Sequence, residues 1–120
     1  MELRRAIIFV KDMRAMTAFY RDGLGLRPLS EGSSEGWVEL DAGGARLALH
    51  AIPAAIASGI EITNPPQARG NTPIKLVFHA TDVAGARAHL VSHGAVMQEP
   101  SPSGRCDGLD PEGNVFQIVP

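Results

Sequence analysis

The sequence predicts an α+β fold of two tandem βαβββ modules. Two observations carry that expectation. The pattern of the first half returns in the second at a near-constant offset, and in each half an apolar strand leads into a capped helix and then into turn-separated strands.

In the first half, Ala6-Ile7-Ile8-Phe9-Val10 is a short apolar run suited to a buried strand. Asp12 is placed to cap a helix on which Met13, Met16, Phe19 and Tyr20 recur at helical spacing, and Gly23 or Gly25 ends it. Seventy residues later Ile74-Lys75-Leu76-Val77-Phe78 repeats the strand. Asp82 repeats the cap, Val83, Ala86 and Leu90 the helical face, and Gly94 the stop. The turns Asp41-Ala42-Gly43-Gly44 and Asp110-Pro111-Glu112-Gly113 each precede a strand, Arg46 to His50 and Val115 to Val119. Further strands are expected at Gly36 to Leu40 and Gly104 to Leu109, with short ones near Leu26–Leu29 and Val96–Gln98.

The chain of 120 residues therefore reads as one domain, with module 1 over about 1–51, a linker over 52–73 and module 2 over about 74–120. Pro53, Pro65, Pro66 and Pro73 make the linker mostly loop, with room for a helical turn at Ala54 to Ala57. A core is affordable at 44% hydrophobic residues, but a chain this small is marginal alone, which favours a homodimer. The net charge of -2 and the lack of a Lys/Arg run argue against nucleic acid and anionic membrane as partners. The apolar run Ala6 to Val10 is too short for a secretory or membrane segment. A single Cys106 forms no internal disulfide, so a reducing cytoplasm is the expected setting.

Side chains alternate across a strand. Ile7 and Phe9 thus share a face with Arg5, Val77 shares one with Lys75, and Val115 and Val119 flank Gln117. Trp37 and Glu39 share one face, leaving Val38 and Leu40 to pack against the helices. Gly23-Leu24-Gly25 follows a helix rather than opening one, so it is a helix end and not a dinucleotide loop. Cys106 follows Arg105, which would favour a thiolate, but its strand position favours a buried, inert thiol.

Three segments, Ala6-Ile7-Ile8-Phe9-Val10-Lys11-Asp12, Ala18-Phe19-Tyr20-Arg21-Asp22-Gly23-Leu24-Gly25-Leu26 and Leu109-Asp110-Pro111-Glu112-Gly113-Asn114-Val115-Phe116-Gln117-Ile118-Val119, together with the βαβββ repeat, resemble the vicinal oxygen chelate superfamily. Its members include glyoxalase I, fosfomycin-resistance enzymes, extradiol dioxygenases and bleomycin-binding proteins. The resemblance spans nearly the whole chain outside residues 52–73. It implies a curved sheet cup with helices on the outer face, and commonly a homodimer. It also implies four metal-ligand positions, seven residues before each capping Asp and seven after each turn Asp. Here these hold Arg5, Lys75, Ala48 and Gln117, of which only Gln117 offers a donor atom for a metal.

The expected cofactor is therefore none, with a divalent metal on a shifted set of His50, Glu39 and Gln117 as the alternative. His50 lies about 7 Å along its strand from Ala48 and His79 about 13 Å from Lys75, so neither reaches the usual centre. In the family Arg5 and Lys75 would converge. Two cations about 6 Å apart repel by roughly 3 kcal/mol at an effective dielectric near 20. Either a protein carboxylate (Glu39, Asp107 or Glu61) or a bound anion must offset this. Trp37 is suited to stacking on a flat ligand or to packing.

The expected function is metal-independent binding of a small anionic or aromatic molecule in the cup. The expected ligand-binding residues are Arg5, Phe9, Trp37, Glu39, Ala48, His50, Lys75, Val77 and Gln117. Two alternatives stand beside it. One is a metal-dependent lyase or dioxygenase with atypical ligands. The other is a metal-free enzyme using Lys75 or His50, the lysine by a Schiff base in one version.

Overall fold

A computed structural model describes residues 1–71 and 74–120. Pro73 of the expected linker lies outside the described residues. The strands are β1 (Arg5–Val10), β2 (Arg27–Ser34), β3 (Trp37–Asp41), β4 (Arg46–Ala51), β5 (Leu76–His79), β6 (Val96–Met97), β7 (Cys106–Leu109) and β8 (Val115–Val119). The helices are α1 (Met13–Ala18), α2 (Ala54–Ala57) and α3 (Val83–Ser92). Two four-stranded mixed sheets result, ordered β1-β4-β3-β2 and β5-β8-β7-β6, with one parallel pair in each, β1 with β4 and β5 with β8. The α+β class and the βαβββ repeat stand as the sequence predicts. The chain forms two compact units, Met1–Glu61 and Ile62–Pro120.

Within the first unit, Asp12 accepts a hydrogen bond from the Ala15 amide and starts α1. After Ala18 the helix widens into a π-helical segment, Phe19–Gly23, which seats Phe19 and Tyr20 both in the core. Gly25, at φ 71°, then turns the chain. Met16, Phe19 and Tyr20 are buried together with Val10, Leu40, Leu47 and Leu49. This core takes the face of the sheet opposite to Arg5.

Strand β2 runs further than Leu26–Leu29 because a side chain replaces the missing ladder. The register shifts between Leu29 and Ser34, and Ser33 Oγ donates to the Leu29 carbonyl at 2.6 Å while accepting from the Glu39 amide at 3.2 Å. A polar Ser-Glu-Gly-Ser-Ser stretch reads as loop, yet here it forms a bulged edge strand.

In the second unit, Asp82 caps α3 through the Gly85 amide at 3.0 Å, and Gly94 at φ 95° ends it. The turn Asp110–Asn114 is organised by one buried carboxylate. Asp110 Oδ1 accepts from the Glu112 and Asn114 amides at 3.0 and 2.9 Å, and Oδ2 from Asn114 Nδ2 at 2.8 Å. Among the described residues no helix is long and apolar enough to cross a membrane.

Gly113 sits at φ 83° with the Gln67 carbonyl 2.1 Å from where a Cβ would stand. Gly113→Ala should therefore destabilise the chain by about 1–3 kcal/mol, read as a lower urea midpoint. Gly44→Ala, which meets open space, should change it little. Equal midpoints for the two variants would contradict this account of the turn.

Candidate functional site

Cross-strand register sorts one face of the first sheet into three rows. Arg5, Arg46, Asp41 and Arg27 stand opposite one another, then Ile7, Ala48, Glu39 and Leu29, then Phe9, His50, Trp37 and Ser34. Successive rows are about 7 Å apart along the strands. The face is thus ionic at one end and aromatic at the other.

Glu39 links the rows. Its side chain is only 4% exposed, and it is held by two guanidinium groups. Arg46 Nη1 donates to Oε2 at 2.7 Å, and Arg5 Nη2 pairs with Oε1. Burial alone pushes the Glu39 carboxyl up. The Arg46 hydrogen bond, the charges of Arg5 and Arg46 and a hydrogen bond from Trp37 outweigh it and hold the carboxyl below its ordinary value. Arg5 and Glu39 lie on strands separated by β4, and Ala48 between them has no bulk to block their meeting. The Arg5 guanidinium also lies over the Trp37 ring, 5.6 Å from its centroid. Its Nε is buried without a hydrogen-bond partner, so Glu39 does not saturate it.

The aromatic row is open. Phe9 is 58% exposed and its ring centroid lies 5.4 Å from that of His50, which lies 5.2 Å from Trp37 in an edge-on arrangement. Ile7 beside it is exposed as well.

The second sheet repeats the wiring with different chemistry. Lys75 Nζ donates to Asp107 Oδ1 at 3.1 Å, and Gln117 Nε2 donates to the same oxygen at 2.8 Å. Burial raises the Asp107 carboxyl, but the hydrogen bonds from Lys75 and Gln117 and the Lys75 charge bring it below its ordinary value. Val77 and His79 are exposed on the strand that begins beside Lys75.

Six of the nine expected residues (Arg5, Phe9, Trp37, Glu39, Ala48 and His50) therefore share a face of the first sheet, and Lys75, Val77 and Gln117 share one of the second. Of the carboxylates considered, Glu39 meets Arg5 and Asp107 meets Lys75, while Glu61 joins neither pair. Sequence reasoning missed Arg46. Strand parity held the clue, since Arg46 is two residues before Ala48 on the same face. Cys106 is buried, its Sγ 3.1 Å from the Gln98 carbonyl, and burial pushes its thiol pKa up despite the nearby Arg87. It is a core thiol, placed on its strand as expected. Among the described residues no group of three or more His, Cys, Asp or Glu side chains gathers in metal-binding proximity.

Two βαβββ sheets with these motifs define the vicinal oxygen chelate fold. The sequence matches the glyoxalase-like domain over residues 5–119, and the chain belongs to that family. Among solved structures it is similar to a glyoxalase/bleomycin resistance protein/dioxygenase family enzyme from Burkholderia phytofirmans PsJN, with a TM-score of 0.77 and 24% identity over 98% of this chain and 97% of that one. It is also similar to the fosfomycin resistance protein FosX from Mesorhizobium loti, with a TM-score of 0.71 and 13% identity over 98% and 90%. A glyoxalase-related enzyme from Fulvimarina pelagi aligns with a TM-score of 0.69 and 17% identity over 98% and 86%. Comparison with curated proteins finds no match.

Glu39, Asp107 and Asp41 all have carboxyls held below their ordinary values, Asp41 first by the Gly43 amide and then by Arg27. On acidification the unfolded chain takes up these protons first, near pH 4, so the stabilisation is fully present above about pH 5 and is lost as pH falls further. The urea midpoint should hold from neutral pH to about pH 5 and then drop. The Glu39→Gln, Asp107→Asn double variant should show a shallower acid drop. An unchanged drop would mean that other carboxylates govern it.

Proposed function

We propose that the exposed face of the first sheet binds a small molecule with an aromatic group and an anionic group, without a metal. One observation carries this reading: the Arg5–Glu39–Arg46 triad keeps one positive charge (two guanidinium groups against one carboxylate) beside the open Phe9–His50–Trp37 row. A planar ring gains contact on the aromatic row, and a carboxylate or phosphate gains charge-assisted hydrogen bonds from Arg46, whose side chain is 43% exposed. Such an anion competes with Glu39 for the guanidinium groups. The Lys75–Asp107 pair is neutral as a pair, which makes the first sheet the better anion site.

The residues present do not fit the metal that the family's pattern implies. Arg5 and Lys75 present only donors, Ala48 has no ligand atom, and Gln117 has turned its amide nitrogen toward Asp107. Glu39, the carboxylate of the shifted alternative, is taken up by two arginines. Catalytic metal sites use about three protein ligands. Neither enzyme alternative draws a supporting contact from the described residues, and Lys75 is committed to Asp107.

Trp37 is the only tryptophan, so its fluorescence reports on the face directly. Aryl carboxylates and aryl phosphates should quench it saturably, and neutral analogues of the same ring should bind more weakly. Arg46→Ala should weaken the anionic ligands by about 1 kcal/mol or more, as loss of a charged hydrogen bond does. Equal affinity for charged and neutral analogues, or an unaffected Arg46→Ala variant, would defeat the anionic half of the proposal.

A further inference from the structure

The last turn of α3 carries His89 and, one helical turn on at its C-cap, His93. Their ring centroids are 4.3 Å apart at an interplanar angle of 45°. Residues four apart lie on the same side of a helix, so two imidazoles there reach a common point. Most such neighbours are merely surface residues. For His93 the hydrogen bonds decide which ring nitrogen is left.

Ser92 Oγ donates to the His89 carbonyl at 2.7 Å, so that hydroxyl's proton is already committed. His93 Nδ1 lies 2.9 Å from the same carbonyl and 3.1 Å from Ser92 Oγ. Both neighbours act as acceptors toward the ring. Nδ1 must therefore carry the proton, which leaves the lone pair of neutral His93 on Nε2, directed away from the backbone. A backbone carbonyl holding one ring nitrogen while the other is left as the ligand is the arrangement that orients histidines toward metals. The site also ends a ten-residue helix, whose C-terminal partial negative charge favours a cation.

We propose that His89 and His93 form a two-histidine site on the outside of the second unit for one divalent transition-metal ion of imidazole-preferring type, Cu(II) before Ni(II) or Zn(II). Water completes the coordination, so the site holds and presents the ion rather than enclosing it. This site shares no residue with the first-sheet face. Metal taken up by the chain is consequently no sign of metal on that face.

Calorimetric titration of the full chain with Cu(II) and, separately, Ni(II) at neutral pH tests this. Saturable binding of about one ion per chain is expected. His89→Gln and His93→Gln should each weaken it by about tenfold or more, because losing one of two joined ligands loses the chelate advantage. His50→Gln and His79→Gln should leave it unchanged. In the unmodified chain, substoichiometric Cu(II) should broaden the amide resonances around His89 and His93 before any in the first sheet. Absence of saturable binding, dependence on His50 or His79, or broadening centred on the first sheet would overturn the proposal.

Discussion

A carboxylate buried in the first sheet must be compensated, because an uncompensated charge in that environment costs several kcal/mol. Glu39 meets that demand through Arg5 on β1 and Arg46 on β4. The three side chains therefore tie three strands together on one face, while the opposite face is tied by the apolar core of Val10, Leu40, Leu47 and Leu49. Arg5 of the triad stands where the family's pattern would place a metal ligand, and the triad restrains the strands by hydrogen bonds and charge. It needs Ala48. A longer side chain at that position would stand between Arg5 and Glu39.

The two halves show how one wiring diagram accepts different chemistry. In each, a cation at the start of the first strand reaches a carboxylate on the third, past the fourth. In the first half the intervening residue is small and a second arginine joins, leaving net positive charge. In the second the intervening Gln117 donates its amide to Asp107, and the Lys75–Asp107 pair balances its charge. The repeat thus kept its geometry while its halves lost equivalence, and the aromatic row Phe9–His50–Trp37 accompanies only the charged half.

Much of this was legible in the sequence because it depends on local rules. Asp12 and Asp82 as caps, Gly25 and Gly94 at positive φ, and the Asp110 turn follow from residue type and spacing. Strand parity grouped Arg5 with Phe9 and Trp37 with Glu39, and the family resemblance gathered them with His50 in one cup. What escaped depends on three-dimensional choice. Parity also puts Arg46 on that face, but nothing local says that its guanidinium turns to Glu39 rather than to Asp41 beside it in register. The extension of β2 depends on the Ser33 hydroxyl reaching two backbone groups, which composition renders as loop. The orientation of His93 depends on which acceptor the Ser92 hydroxyl donates to, a matter of angle rather than of sequence.

The central claim is that the first-sheet face recognises its ligand with its own cations and aromatic rings. The direct measurement is the affinity of one quenching aryl anion for a His89→Gln, His93→Gln chain. It is taken first in excess chelator and then with Mn, Fe, Co, Ni or Zn added after the chelator is removed. The account predicts the same dissociation constant under every condition. Binding that vanishes in chelator and returns with one particular metal would contradict it, and would make the triad a metal site in another form.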